Sequence, residues 1–128
     1  MKTTKKLPDA ELEIMLVVWD AKAPVTSDYI MERLDKDWTK PTLLNLLTRL
    51  CGRGFLCCDK EGRHNVYSVL IPREDYVQEA SSTLLRKLHH NSLTSLVASL
   101  YDGQKVSKAD LEELKRFIEE AEECCFTL

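Results

Sequence analysis

The chain has 128 residues, of which 44% are hydrophobic and 30% are charged, and its net charge is −3. This composition is typical of an ordinary soluble globular protein, and the length allows one small domain with an appendage rather than two full domains. No apolar run approaches the roughly 18 residues of a transmembrane helix, and the N-terminus, MKTTKKLPDAEL, has no hydrophobic signal core. We therefore expect a cytoplasmic protein without membrane insertion.

Positive charge is concentrated in one segment of this acidic chain. Residues 38–64 contain five lysines and arginines against two acidic residues, whereas residues 72–128 contain seven against eleven. A local basic patch of this size is a weak indication of nucleic-acid binding by the first of these segments.

The N-terminal segment predicts a first helix over residues 9–22. Four apolar residues recur there at helical spacing, and two acidic residues stand near the positive end of the helix. The apolar residues are Leu12, Met15, Leu16 and Trp19.

Two further helices are predicted by their capping residues. Thr26 is placed to cap a short helix over about residues 27–34, and Thr39 to cap a third helix with Pro41 in its first turn. Gly52 and Gly54 end the third helix. Its core-facing stripe is Leu43, Leu46, Leu47 and Leu50.

A β-hairpin follows the three helices. The runs FLCCDK and HNVYSVL have β-type composition and are separated by the turn-prone EGR. A helix-turn-helix followed by a hairpin predicts a mainly α winged-helix domain over residues 1–71.

Residues 72–128 predict a helical region. A helix over residues 73–89 would carry an apolar stripe of Val77, Ala80, Leu84 and Leu88, and two more helices follow, the last capped by Ser107. Such helices are marginal alone. They pack either back on the winged helix or, as we prefer, against a second copy of the chain. The predicted dimerisation residues are Leu93, Leu96, Val97, Leu100, Leu111, Leu114 and Ile118.

The polar face of the third helix suits DNA recognition. A recognition helix reads base edges in the major groove, where arginine can bind guanine, asparagine can bind adenine and leucine can touch a thymine methyl group. Basic side chains nearby suit phosphates. The predicted DNA-binding residues are Lys40, Thr42, Leu44, Asn45, Thr48, Arg49, Arg53, Lys60 and Arg63.

Enzymatic and metal chemistry find little support in the motifs. The chain lacks HExxH, a glycine-rich phosphate loop and a C-x-x-C pair, so we expect neither catalysis nor a cofactor. Cys124 and Cys125 could give four thiolates in a dimer, which leaves a metal-responsive repressor as one alternative. A winged helix that binds a protein partner is another.

The chain resembles the penicillinase repressor family, which includes BlaI, MecI and the copper-responsive CopY repressors. The segments that carry the likeness are LPDAELEIMLVVW, KDWTKPTLLNLLTRLCGRGFL, the wing ending in VYSVL, and SLTSLVASLYDGQKVSKADLEELKRFIEE. The resemblance implies a homodimeric transcriptional repressor that binds a palindromic operator in double-stranded DNA. It also implies that residues 72–128 form the dimerisation region.

Residue by residue, the recognition helix matches the family at some positions and departs from it at others, and two further segments also depart. Thr42, Thr48 and Arg49 match the family's recognition helix, whereas Pro41 and Leu44 stand where better-known members have basic residues. In the β-lactam repressors a sensor protease leads to cleavage of an Asn-Phe bond, and the matching place here reads Ser99-Leu100. The C-terminal EECCFTL also differs from the C-x-C pattern of the copper-responsive members.

Overall fold

The structure is a computed structural model that describes the backbone of residues 6–126 and the side chains of residues 6–124. The chain divides into two compact units, with the division between Ser81 and Ser82. The elements, in chain order, are α1 (Asp9–Ala21), β1 (Val25–Thr26), α2 (Ser27–Arg33), α3 (Lys40–Gly52), β2 (Leu56–Glu61), β3 (His64–Val69), α4 (Arg73–His89), α5 (Leu93–Asp102) and α6 (Lys108–Phe126).

The N-terminal unit contains a continuous hydrophobic core. From α3, the predicted stripe residues Leu43, Leu47 and Leu50 are fully buried. The predicted first helix is confirmed, but Leu16, one of the apolar residues that indicated it, is 45% exposed. The face of α1 that packs inward is set by positions 14, 15 and 18, and Leu16 lies off that face. The buried hydrophobic residues of α1 are Ile14, Met15, Val18 and Trp19.

Both predicted threonine caps are confirmed. The Thr26 hydroxyl accepts a hydrogen bond from the backbone N–H of Tyr29 at 3.2 Å, and the Thr39 hydroxyl accepts one from the N–H of Thr42 at 3.3 Å. Each cap satisfies a backbone donor that the first helical turn leaves unpaired. The start of the predicted recognition helix is therefore fixed by its own sequence.

The predicted hairpin forms the wing, and a third strand extends it. Strands β2 and β3 are antiparallel, with Gly62 at φ 64° in the turn between them. Strand β1 pairs with β3 through Val25 opposite Tyr67, which gives the sheet order β1-β3-β2. The sequence did not predict β1, because a strand of two residues is too short to show alternation. Three helices and this small sheet form a winged helix.

The first turns of α4 belong to the N-terminal core. The buried Tyr76 hydroxyl accepts a hydrogen bond from the Leu7 N–H at 2.9 Å, and its ring lies 5.7 Å from that of Trp19 and 5.9 Å from that of Phe55. Of the predicted apolar stripe of α4, Ala80 packs partly against this core, whereas Val77, Leu84 and Leu88 are exposed in the single chain. An aromatic ring one position away provides more apolar surface to the core than Val77 could.

The C-terminal unit consists of capped helices without a buried interior. The Ser92 hydroxyl caps α5 by accepting from the Ser95 N–H at 3.0 Å. Ser107 and Asp110 form a reciprocal capping box at the start of α6, with N–H to oxygen distances of 2.9 and 3.1 Å. None of the described side chains of this unit is buried. Over the residues that the structure describes, no helix is long and apolar enough to cross a membrane.

Candidate nucleic-acid interface

The buried leucines of α3 determine which of its side chains point outward. Because Leu43, Leu47 and Leu50 point into the core and Leu46 packs partly against it, the positions on the opposite side of the helix must point away from it. The outward side chains, all exposed, are Lys40, Thr42, Leu44, Asn45, Thr48 and Arg49.

Two of these outward side chains have all their polar groups available. Asn45 and Arg49 make no side-chain hydrogen bond or ion pair with any part of the chain that the structure describes. They occupy positions i and i+4, so they are neighbours on the same helix face. An amide and a guanidinium in this arrangement can each present two hydrogen-bonding groups to a base edge.

The two threonines of this face are already hydrogen-bonded within the protein. The Thr48 hydroxyl donates to the Leu44 carbonyl oxygen at 2.9 Å, and the Thr42 hydroxyl lies 3.1 Å from that of Thr39. These contacts fix both side chains close to the helix backbone. Leu44 is 38% exposed and supplies the apolar part of the surface.

Lys40 forms an ion pair with the preceding helix. Its Nζ lies 2.5 Å from Oδ1 of Asp28 in α2. The hydrogen bond and the positive charge of Lys40 lower the pKa of the Asp28 carboxyl below its usual value. Both side chains are exposed, and exposed pairs of this kind are weak. Lys40 can therefore exchange Asp28 for a phosphate group.

The wing presents two cations on either side of its turn. Lys60 lies opposite Asn65 in the β2–β3 register, and Arg63 follows Gly62 at the tip. Both side chains are exposed, and neither forms an ion pair with a described residue. Two unpaired cations on a short hairpin suit contacts to a polyanion backbone.

Arg53 stands between α3 and the wing and contacts a buried carboxylate. Its Nε lies 3.3 Å from Oε1 of Glu11 in α1, a residue with no exposed surface. The sequence indicated Glu11 only as an acidic residue at the positive end of the first helix, and not as a buried partner of Arg53. The signal was present, because Glu11 stands three, four and seven positions before the core residues Ile14, Met15 and Val18.

Cys51, at the end of α3, has the character of a protonated thiol. Burial raises the pKa of the Cys51 thiol, and the neighbouring Cys58 and Cys57 raise it further. A raised pKa keeps a thiol protonated and weakly nucleophilic at neutral pH. Among the residues described, no group of three or more His, Cys, Asp or Glu could hold a metal ion. Cys124 is exposed at the end of α6, and the side chain of Cys125 lies outside the described residues.

Most of the predicted dimerisation residues line one groove between α5 and α6. The groove has a volume of about 370 Å³ and almost entirely apolar walls. Leu96 and Leu100 do not line it, and Leu100 is 39% exposed. The lining residues are Leu93, Thr94, Val97, Ala98, Tyr101, Leu111, Leu114 and Ile118.

Known proteins resemble this chain over nearly its whole length. The penicillinase repressor from Bacillus licheniformis is 34% identical over 122 residues, which is 94% of this chain and 94% of that protein. The methicillin resistance regulatory protein MecI from Staphylococcus aureus strain N315 is 28% identical over 90% of this chain and 94% of its own length.

A solved structure resembles the fold of part of the chain. It is the solution structure of the monomeric form of Bacillus licheniformis BlaI in complex with the blaP half-operator. That chain is 35% identical, and the match covers 59% of this chain and 94% of that chain with a TM-score of 0.50. The family model described as "Penicillinase repressor" matches residues 7–120. The chain therefore belongs to the penicillinase repressor family.

Proposed function

We propose that this protein is a sequence-specific DNA-binding transcriptional repressor that acts as a homodimer on a palindromic operator. The winged helix over residues 1–71 would bind double-stranded DNA, and residues 72–128 would hold two copies together. With α3 of each copy in a major groove, the half-sites would lie about one helical turn, ~10 bp, apart or a multiple of that. The family is one of repressors and not of enzymes.

The observation that carries the proposal is the outer face of α3. Asn45 and Arg49 stand side by side there, and no described residue engages their side-chain donors and acceptors. The helix that carries them is held by three fully buried leucines and a threonine cap, so the pair is presented on a rigid element. Lys60 and Arg63 of the wing, which form no ion pair within residues 6–124, follow the end of the same helix in the chain. The relative of known structure that carries this fold was solved with a half-operator.

The groove between α5 and α6 supports a dimer. A leucine-rich groove open to water is unfavourable, because each Å² of apolar surface removed from water is worth about 25 cal/mol. The same surface on a second copy would cover it in a self-complementary interface. A dimer places two DNA-binding units on one operator, so each strengthens the binding of the other through a high effective concentration.

Relief of repression would act on the same region. Cleavage or remodelling near α5 would separate the two copies and remove this gain in affinity. The segment Ser99-Leu100 lies in α5, and Leu100 is exposed there. A sensor protease is one candidate for the signal, although the Asn-Phe bond that is cleaved in the β-lactam repressors is absent from this sequence.

Fluorescence anisotropy tests the proposal directly. The full-length protein is titrated into labelled duplex DNA from upstream of its own gene and into a scrambled duplex, across a series of salt concentrations. We expect tighter binding to the upstream duplex, with log K falling by about 0.9 per phosphate contacted for each tenfold rise in salt.

Equal binding to both duplexes at every salt concentration would contradict sequence-specific recognition by α3. Binding of neither duplex would favour the alternative function, a winged helix that recognises a protein. In that case the positive charge around α3 would be incidental.

A further inference from the structure

A buried carboxylate stands behind one of the residues that the proposed function assigns to DNA. Glu11 has no exposed surface, and neither of its carboxylate oxygens accepts a hydrogen bond in the part of the chain that the structure describes. A charge taken out of water in this way is costly unless an opposite charge compensates it. The guanidinium of Arg53 supplies that charge, with Nε 3.3 Å from Oε1 of Glu11.

Arg53 is held in place both through its backbone and through its side chain. Its backbone N–H donates to the Arg49 carbonyl oxygen at 2.9 Å, so its main chain ends α3. Gly54 follows at φ 85° and turns the chain toward β2. The Arg53 side chain remains 39% exposed although its Nε faces Glu11. The residue therefore lies at the junction of the recognition helix and the wing, partly buried against α1 and partly open to solvent.

The shape of a guanidinium lets it serve two partners at once. Its five N–H donors lie in one plane and point along different edges. When Nε faces the carboxylate, Nη donors remain for a second acceptor. A lysine at the same position has all its donors on one compact ammonium group, so placing that group against Glu11 would draw its charge away from a second partner.

We propose that Glu11 is a positioning residue for DNA binding, which holds Arg53 in a single orientation with its outer edge directed at a backbone phosphate. Glu11 touches no DNA itself. It acts by removing the conformational freedom that a long side chain would otherwise lose when DNA binds. The inference rests on the proposed function, because it requires that the junction of α3 and the wing face DNA.

The direction of the change in DNA affinity distinguishes positioning by Glu11 from a general effect of net charge. Glu11→Gln makes the protein more positive by one unit, and general electrostatics then predicts tighter DNA binding. Positioning predicts weaker binding, because Arg53 loses its anchor. Glu13→Gln is the matched control: it makes the same change two residues away in α1, where the carboxylate forms no ion pair with a described residue.

The experiment measures Kd and its salt dependence for the full-length variants on the upstream and scrambled duplexes. Arg53→Gln should weaken binding to both duplexes to a similar extent, by about tenfold, and reduce the salt slope by about 1. Glu11→Gln should change both quantities in the same direction as Arg53→Gln, whereas Glu13→Gln should bind as tightly as the wild type or more tightly. The double variant Glu11→Gln/Arg53→Gln should match Arg53→Gln alone.

Three results would overturn the inference. They are wild-type or tighter binding by Glu11→Gln, an equal further loss when Glu11→Gln is added to Arg53→Gln, and wild-type affinity of Arg53→Lys. The last variant decides the question even if Glu11→Gln fails to fold, as judged by circular dichroism, because it keeps the charge and leaves Glu11 in place.

Failure of the proposed function would give a different set of binding results from failure of the positioning role. If the wild type binds both duplexes equally, sequence-specific recognition fails, but the salt slopes on either duplex still report on positioning by Glu11. If the wild type prefers the upstream duplex and Glu11→Gln binds no more weakly, only the positioning fails. Absence of salt-dependent binding to either duplex would overturn both.

Discussion

The two units of the chain bury their apolar side chains to very different extents. In the N-terminal unit, the helices and the small sheet enclose a core that runs from Leu7 to Tyr76. In the C-terminal unit, large apolar side chains stay open to water, including Leu88 at 67% and Phe117 at 65% exposure. Their helices are nevertheless well capped.

This difference indicates what each unit needs in order to be stable. The N-terminal unit buries its apolar side chains within one chain. Its outer polar face is therefore available to bind a partner other than a second copy of the chain. The C-terminal unit leaves its apolar surface uncovered, and a soluble protein rarely tolerates a large contiguous patch of this kind without a partner. Function is therefore expected at the polar surface of the first unit and at the apolar surface of the second.

The largest effect should come from placing a charge in the α5–α6 groove. Leu114 lines the groove, and Leu114→Asp would bury an unpaired carboxylate in the proposed dimer interface. We expect monomers in sedimentation experiments and a loss of operator affinity of about 10²-fold or more, as the effective concentration of the second DNA-binding unit is lost.

Lys115→Asp provides the control for this experiment. Lys115 is the next residue in α6, and it is exposed and does not line the groove. This variant should remain dimeric. An intact dimer in Leu114→Asp would mean that another surface joins the two copies, or that the apolar groove has another occupant.

Truncating Arg49 should lower sequence preference while leaving the fold intact. The guanidinium is outward and forms no hydrogen bond or ion pair with a described residue. A bidentate contact to a base is worth about 1–3 kcal/mol of discrimination, so we expect Arg49→Ala to lower the preference for the upstream duplex over the scrambled duplex by roughly 5- to 150-fold. Lys60→Ala, in the wing, should weaken both by a similar factor. Unchanged operator affinity in Arg49→Ala would remove α3 from the role of recognition helix.

Much of the fold could be predicted because its signals are local. Thr26 and Thr39 cap helices through contacts only three residues away, and the bounds of α4 follow from Pro72 and the helical pattern. Strand β1 and the inward face of α1 could not be predicted in the same way. Both depend on which surfaces meet in the folded chain, and Leu16 and Ile14 are equally hydrophobic when the sequence is considered alone.

The sequence predicted the DNA-binding site only as a set of side chains that point outward from the core. Spacing places Asn45 and Arg49 on the polar face of α3, but it does not reveal which side chains are engaged elsewhere. Lys40 pairs with Asp28 twelve residues away, and Arg53 pairs with Glu11 across the core. These partners come together only through the packing of three helices. A buried glutamate in an apolar stripe was the one sequence signal that could have indicated such a pair.

Removing a tyrosine hydroxyl group should lower the free energy of unfolding when the tyrosine lies in the N-terminal core, but not when it lies in the C-terminal unit. Tyr76→Phe would leave the buried Leu7 N–H without its acceptor, which typically costs about 1–3 kcal/mol in the free energy of unfolding. Tyr101→Phe, the matched change in α5, removes a hydroxyl from a side chain that is 55% exposed and should have almost no effect. Equal losses in urea denaturation of the two variants would contradict the contrast between a closed and an open unit.

The smallest effect should be at the capping box of α6, where the stability of the C-terminal unit depends on local contacts. Ser107→Ala removes the acceptor of the Asp110 N–H and should cost about 1 kcal/mol at neutral pH. The hydrogen bonds from Ser107 lower the pKa of Asp110 below its usual value of 3.8. The ionised carboxylate therefore stabilises the folded helix above that value, and the stabilisation is lost as the pH falls through the lower, folded-state pKa. The larger of these two contributions comes from the Ser107 backbone N–H, which alanine keeps. An NMR titration of the Asp110 carboxyl should therefore show its pKa rising only part of the way toward 3.8 in Ser107→Ala, and an unchanged pKa would mean that the Ser107 hydroxyl does not stabilise this carboxylate in solution.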